Sequence, residues 1–136
     1  MTKILLVEDS KFLRLAMERA LARAGYEVCS AADGEEALRT AQVRLPDLIL
    51  LDMLLPKMSG LDVLKALKKD ASMKAIPVVV ISGMTEKNSA RLQDDGAAGF
   101  LEKSTLEMDK GPEQLLARVR DIVSKLPEQQ AKKTTA

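Results

Sequence analysis

The sequence predicts an α/β fold, a doubly wound parallel sheet with helices on both faces, and three observations carry that prediction. Short apolar runs alternate with longer amphipathic ones along the chain, the pattern of strands joined by crossover helices. The short runs (Ile4-Leu5-Leu6-Val7, Leu48-Ile49-Leu50-Leu51, Val78-Val79-Val80-Ile81) are apolar throughout, as strands covered on both faces require. Two of them close on acids: KILLVED ends in Glu8-Asp9 and DLILLD ends in Asp52.

Residues 4–7 form the first strand. Ser10 can cap a helix over about residues 10–24, where Leu13, Met17, Ala20, Leu21 and Ala24 recur at helical spacing before Gly25 stops it. Residues 26–31 are the second strand; Asp33-Gly34-Glu35-Glu36 then opens a helix with Ala37, Leu38 and Ala41 inward, ended before Pro46. Residues 48–51 are the third strand. A loop with Pro56 and Gly60 leads to a helix marked by Leu61, Leu64 and Leu67, and residues 77–81 are a fourth, buried strand. The helix expected near residues 86–95 has a thin inward stripe, Ala90 and Leu92. Residues 98–101 should be the fifth strand, and Leu115, Leu116, Val119, Ile122, Val123 and Leu126 give the last helix an apolar face. Residues 127–136 are polar and aperiodic, so one domain over residues 1–126 with a frayed tail is expected.

A chain of 136 residues can bury roughly two-thirds of its unfolded surface without disulfides or metal staples. Its 21 basic and 20 acidic residues leave a formal charge of +1, which supplies no bulk field for a nucleic-acid backbone or an anionic membrane. The single cysteine, Cys29, falls in a strand-like stretch and is expected to be a buried, inert thiol. With no disulfide framework, signal peptide or membrane span in evidence, a soluble cytoplasmic protein is expected. The absence of histidine excludes a His-containing triad, an imidazole zinc ligand and an intrinsic phosphohistidine carrier. A phosphorylated histidine, if one is involved, comes from a partner.

Right-handed crossovers bring the C-terminal ends of all strands to one edge of the sheet, where open α/β folds bind ligands. Glu8, Asp9, Asp52, Ser82 and Lys103 all fall at such ends. Two carboxylates ~4 Å apart repel by at most about 4 kcal/mol at an effective dielectric near 20, so a positive partner is needed. Mg²⁺ suits the set, because it takes oxygen ligands and is commonly held by one or two carboxylates plus a phosphate. A lysine and a hydroxyl nearby suit the remaining phosphoryl oxygens. Taken singly each residue has a plainer reading: Glu8-Asp9 as charge at a helix N-terminus, Asp52, Pro56 and Gly60 as turn punctuation, Lys103 as a solvated charge, Ser82 as a cap, Phe100 as core.

Taken together and in order, the acidic pair Glu8-Asp9, Asp52 with Pro56 four and Gly60 eight residues on, Ser82 after an apolar strand, and Lys103 after the fifth strand are a specific set. On these residues the chain, over about residues 2–126, resembles the receiver domains of response regulators in bacterial two-component signalling, in particular single-domain, chemotaxis-regulator-like members. The resemblance implies a flavodoxin-like sheet of order 2-1-3-4-5 with five helices. It implies that Asp52 accepts a phosphoryl group from a partner's phosphohistidine. Asp9 and Asp52 would hold Mg²⁺ directly, with Mn²⁺ as a substitute, Glu8 through a water, and the Leu54 backbone carbonyl as a further ligand. Ser82 and Lys103 would bind phosphoryl oxygens, and movement of Ser82 would make room for Phe100 at the switch position. The implied partners are a histidine kinase or phosphotransfer protein and a downstream protein target, met by the helix near residues 86–95, the fifth strand and the last helix. Such a protein is a switch with Mg²⁺-dependent self-phosphorylation and slow self-dephosphorylation rather than a dedicated enzyme.

Four departures from the family pattern stand out. Ser104 follows Lys103 where the family has a proline joined by a cis bond; a cis bond before a non-proline costs about 2.5–4 kcal/mol, so a trans bond is expected. Eight residues, 104–111, separate Lys103 from Pro112, more than the ~2–6 of a common strand-to-helix connection; with Leu106 and Met108 they make a candidate partner-specific insert. Phe100 carries no hydroxyl, which favours its inward position. Leu54 and Met84, two residues after Asp52 and Ser82, are apolar and should slow hydrolysis of the acyl phosphate. A phosphorelay intermediate and a phosphorylation-independent scaffold remain as alternatives. A flavodoxin-type electron carrier is disfavoured by acids where a flavin phosphate needs a hydroxyl- or glycine-rich loop, and an aspartate phosphatase by Leu54 where a second acid is wanted.

Overall fold

The computed structural model describes residues 2–53, 55, 57–82, 96–102 and 113–125, except the side chains of Ser82, Glu102 and Gln114. Five strands, β1 (Lys3–Val7), β2 (Glu27–Ala31), β3 (Leu48–Asp52), β4 (Val78–Ser82) and β5 (Gly99–Glu102), form one sheet of order β2-β1-β3-β4-β5. All four pairings are parallel, so the order the resemblance implied is the order observed. Helices α1 (Lys11–Arg23), α2 (Gly34–Arg44), α3 (Gly60–Lys69) and a last helix (Glu113–Ser124) surround it. The helix expected near residues 86–95, the insert at residues 104–111, Leu126 and the tail at residues 127–136 lie outside the described residues.

Strand side chains divide by parity into two cores. Leu5, Val7, Ile49, Leu51, Val78 and Val80 pack with Ala37 and Ala41 of α2 and Val63, Leu64 and Leu67 of α3. Ile4, Leu6, Leu48, Leu50, Val79 and Ile81 pack with Met17 and Leu21 of α1 and Leu115 and Val119 of the last helix. This is why the strands read as unbroken apolar runs: each successive side chain enters a different core, and neither face meets water. All five residues of β3 are buried.

The helix starts are built by side chains. The Ser10 hydroxyl accepts from the Leu13 N–H (3.3 Å), the Asp33 carboxylate from the Glu36 N–H (2.9 Å) and the Ser59 hydroxyl from the Asp62 N–H (3.2 Å), each satisfying a donor that the first helical turn leaves open. At the other end of α2, Leu45 adopts φ 45°, a left-handed position that glycine usually fills. The element limits differ from expectation by a residue or two: β3 runs on to include Asp52, β4 spans residues 78–82 rather than 77–81, and β5 begins at Gly99. Cys29, expected to be buried, is only half-buried because β2 is an edge strand; its Sγ lies 3.7 Å from the Ile4 carbonyl oxygen, and burial pushes the thiol pKa up.

Candidate functional site

The chain leaves β1 toward β2 on one side and later returns past β1 to β3 on the other, so the crevice at the carboxyl ends of β1 and β3 is the topological switch point of the sheet. The register pairs Val7 with Leu51, which sets the next residues, Glu8 and Asp52, side by side. One carboxylate oxygen from each of Glu8, Asp9 and Asp52 lies within 4.8 Å of the others. Glu8 and Asp52 are buried, 1% and 0% exposed, while Asp9 is exposed. The group therefore has a closed floor and an open mouth.

Each acid is mounted differently. Glu8 is fixed at its main chain by its N–H donating to the Ala31 carbonyl (3.1 Å) and at its carboxylate by the Ser10 N–H (3.0 Å). From the first turns of α1, Arg14 Nη1 donates to the Glu8 carbonyl at 2.8 Å and reaches the Asp9 carbonyl at 3.5 Å. Asp52 instead terminates a strand paired on both sides. The loop after it is closed by the Gly60 N–H donating to the Met53 carbonyl (3.0 Å). A Cβ on Gly60 would fall onto the Asp52 carbonyl oxygen and within 2.6 Å of the Met53 Cα, so only glycine lets α3 begin this close to the end of β3.

The β2–α2 turn braces that loop. A Cβ on Gly34 would lie 2.9 Å from the Met58 Cβ, and the Asp33 carboxylate pairs with Lys57 Nζ at 3.8 Å. Lys57 has φ 67°, a left-handed position costly for any residue with a Cβ. The Glu36 N–H holds the Asp33 carboxyl below the usual carboxylate range, with Lys57 adding to the effect.

Of the other expected site residues, the main chain of Ser82 ends β4 opposite Glu102 of β5, one step past the Ile81 that pairs with Asp52. Asp52 and Ser82 thus leave neighbouring strands at the same edge. Phe100 is half-buried against the α2–α3 core, and its carbonyl accepts a hydrogen bond from Arg118 of the last helix (3.1 Å). Leu54, Pro56, Met84 and Lys103 lie outside the described residues.

Sequence reasoning missed Arg14, Gly34 and Lys57, whose parts depend on contacts between distant segments. It also missed Phe12, 77% exposed in the first turn of α1. The signal for Phe12 was present: it sits off the stripe made by Leu13, Met17, Ala20 and Leu21, so it had to face water.

The donor set is all oxygen and carries full negative charge, the ligand chemistry of a hard divalent cation. Octahedral Mg²⁺ with bonds of about 2.1 Å places its ligand oxygens roughly 3–4 Å apart, and the three carboxylate oxygens lie within 4.8 Å of one another. The residues present fit such an ion. Asp52 adds a carboxylate oxygen at the cleft floor able to attack an electrophilic phosphorus.

Comparisons with known proteins agree with this geometry. The chain is 35% identical over 122 residues to the alkaline phosphatase synthesis transcriptional regulatory protein PhoP of Bacillus subtilis, covering 89% of this chain and 48% of that protein. It thus spans about half the length of the curated relatives it matches first. Among solved structures, the chemotaxis response regulator CheY4 of Vibrio cholerae superposes with a TM-score of 0.81 at 34% identity, over 90% of this chain and 98% of that one. The Mn²⁺-bound form of response regulator Rcp1 superposes with a TM-score of 0.69 at 30% identity, over 83% and 92%. Residues 4–120 match the response regulator receiver domain, and with the sheet order and the acidic switch-point cleft they establish that this chain belongs to the receiver-domain family of two-component signalling.

Proposed function

We propose that this chain accepts a phosphoryl group on Asp52 from a histidine kinase or phosphotransfer protein and relays the change to a downstream protein. The observation that carries the reading is the burial of Asp52 at the end of the central strand, grouped with Glu8 and Asp9 at the switch point. An Asp52 carboxylate oxygen attacks the phosphorus of the donor's phosphohistidine. The new P–O bond forms as the P–N bond breaks, leaving an acyl phosphate here and a dephosphorylated imidazole on the donor. Asp9 and Asp52 would bind Mg²⁺ directly, Glu8 through a water, and the Leu54 carbonyl would complete the protein ligands; Mn²⁺, as in Rcp1, would serve too. When bound, the ion offsets charge between the carboxylates and the incoming phosphoryl oxygens. Ser82 and Lys103 take two of those oxygens.

The receiver unit spans residues 1–126 in this reading, with residues 127–136 as a polar tail. Phe12 and Leu15, exposed three residues apart on α1, offer an apolar contact for a protein donor on that side. The output surface is built from residues 86–95, β5 and the last helix. Phe100 and the Arg118 bond to its carbonyl support this, because they join the expected switch residue to that surface.

Incubation with a small phosphodonor and Mg²⁺, followed by intact mass measurement, tests the proposal. The native chain should gain one phosphoryl mass and Asp52→Asn none. No gain on the native chain would favour a scaffold, and gain on both would place the acceptor elsewhere. Saturating Mg²⁺ should also raise the melting temperature, because selective binding to the folded chain adds RT ln(1 + [L]/Kd) to its stability, about 2.7 kcal/mol at 100 Kd. Apolar Leu54 and Met84 should make phosphate release slower than in a Leu54→Asn, Met84→Glu variant; faster release from the native chain would remove that part of the proposal.

A further inference from the structure

We infer that Arg14 is a positioning residue for the acid cluster, holding the peptide units of Glu8 and Asp9 so that their carboxylates are arrayed for a divalent cation before one arrives. This rests on reading that cluster as the metal and phosphoryl site. Three bonds converge on the β1–α1 turn. The Glu8 N–H donates to the Ala31 carbonyl at 3.1 Å, the Ser10 N–H to Glu8 Oε2 at 3.0 Å, and Arg14 Nη1 to the Glu8 carbonyl at 2.8 Å. The same nitrogen lies 3.5 Å from the Asp9 carbonyl, so one half-buried guanidinium group spans both acidic residues. A charged donor on a carbonyl makes one of the stronger hydrogen bonds available to a protein, and the planar guanidinium fixes its direction as an ammonium does not. Ser10, which caps α1, and Arg14, one turn further on, tie the acids to the helix axis.

The guanidinium acts on peptide oxygens and so steers the main chain from which both carboxylates project. Two effects of opposite sign follow. As a positive charge near a cation site, Arg14 weakens metal binding; as an anchor of the ligand backbone, it strengthens it. The bond is short and directional, whereas a half-exposed charge is screened by solvent and salt. Positioning therefore outweighs repulsion, and loss of Arg14 should loosen metal binding rather than tighten it.

The test uses the full chain, Mg²⁺ alone without phosphodonor, and titration calorimetry on native, Arg14→Gln and Arg14→Lys proteins. Residues that orient metal ligands commonly contribute 10- to 100-fold in affinity; Arg14→Gln is expected to raise the Mg²⁺ Kd about 10-fold, at the low end of that range because the Glu8 carboxylate is also held by Ser10, and Arg14→Lys about threefold, below it because a charged donor is kept. In the metal-free protein, Ser10 amide exchange should quicken in both variants. An unchanged or lower Kd in Arg14→Gln overturns the inference, as does a lower melting temperature with an unchanged Kd, which is the mark of a merely structural residue. Should Arg14→Gln fail to fold, Arg14→Lys, with charge and stem kept, decides by the same criterion. A native chain that binds no Mg²⁺ overturns this inference together with the metal site, whereas phosphoryl gain on Asp52→Asn alongside an Arg14-dependent Kd removes only the acceptor assignment.

Discussion

The two acid-bearing strand ends solve one problem by different means. After β1 the chain turns into α1 within three residues, and the turn is secured by polar bonds donated by Ser10 and Arg14 and accepted by the Ala31 carbonyl. After β3 it runs seven residues to reach α3, and the loop, closed by one Gly60–Met53 hydrogen bond, depends on close approach: Gly60 against Asp52 and Met53, and Gly34 against Met58, with Lys57 left-handed between them. Hydrogen bonds tolerate small adjustments of distance; close-packed atoms do not. The β1 end should therefore soften gradually under mutation, while the β3 end should fail abruptly.

The sharpest break in that contrast is Gly60→Ala. Its methyl would overlap the Asp52 main chain, so a loss of about 3 kcal/mol or more is expected in urea unfolding, with Mg²⁺ affinity lost as well. Gly34→Ala is next: its Cβ would meet the Val63 Cγ2 at 2.8 Å and the Met58 Cβ at 2.9 Å, and about 1–2 kcal/mol should be lost although alanine is the better helix former. On the polar side, Ser10→Ala removes the α1 cap for about 1 kcal/mol. A value above that of Gly34→Ala would reverse the comparison. Smaller still, Lys57→Gly should cost nothing and gain up to about 1 kcal/mol, since relief of the left-handed backbone offsets the added chain entropy; a clear loss would mean that the exposed pair with Asp33 matters more than such pairs normally do.

The acid limb of the stability profile offers the finest distinction. The Asp33 pKa is lowered in the folded state, so the carboxylate's contribution is fully present above its unfolded pKa near 3.9 and is lost as pH falls through the lower folded value. Asp33→Asn keeps a capping oxygen but removes the titration, and should flatten the fall in melting temperature below about pH 4. An acid limb unchanged by this substitution would assign the fall to other carboxylates.

Much of this architecture was legible because burial on both faces forces unbroken apolar strands, and because helix stripes such as Leu61, Leu64 and Leu67 repeat at the helical period. The acids at two strand ends were visible for the same reason: an ionisable residue closing an apolar run is conspicuous. Strand order was not legible from periodicity, since parity says which core a side chain enters but not which strand lies beside it. Nor were the left-handed Leu45 and Lys57, occupying places where composition alone would seek glycine or asparagine. Arg14 went unremarked because its acceptors are peptide oxygens, which every residue possesses. Cys29 was misjudged because its local stretch reads as a strand without showing that the strand lies at an edge, which buries less than a central one.

β3 is flanked by β1 and β4, and none of its side chains reaches water. Its amide protons can exchange with solvent only when the whole domain opens, so they should rank among the slowest in the molecule. If Asp52 takes the phosphoryl group as proposed, the signal cannot travel by shifting the strand that bears it, since that motion would cost the full stability of the fold. Under the proposed function the news leaves sideways, through β4, the edge strand β5 and the bond from Arg118 to Phe100, while the anvil on which it was struck stays still.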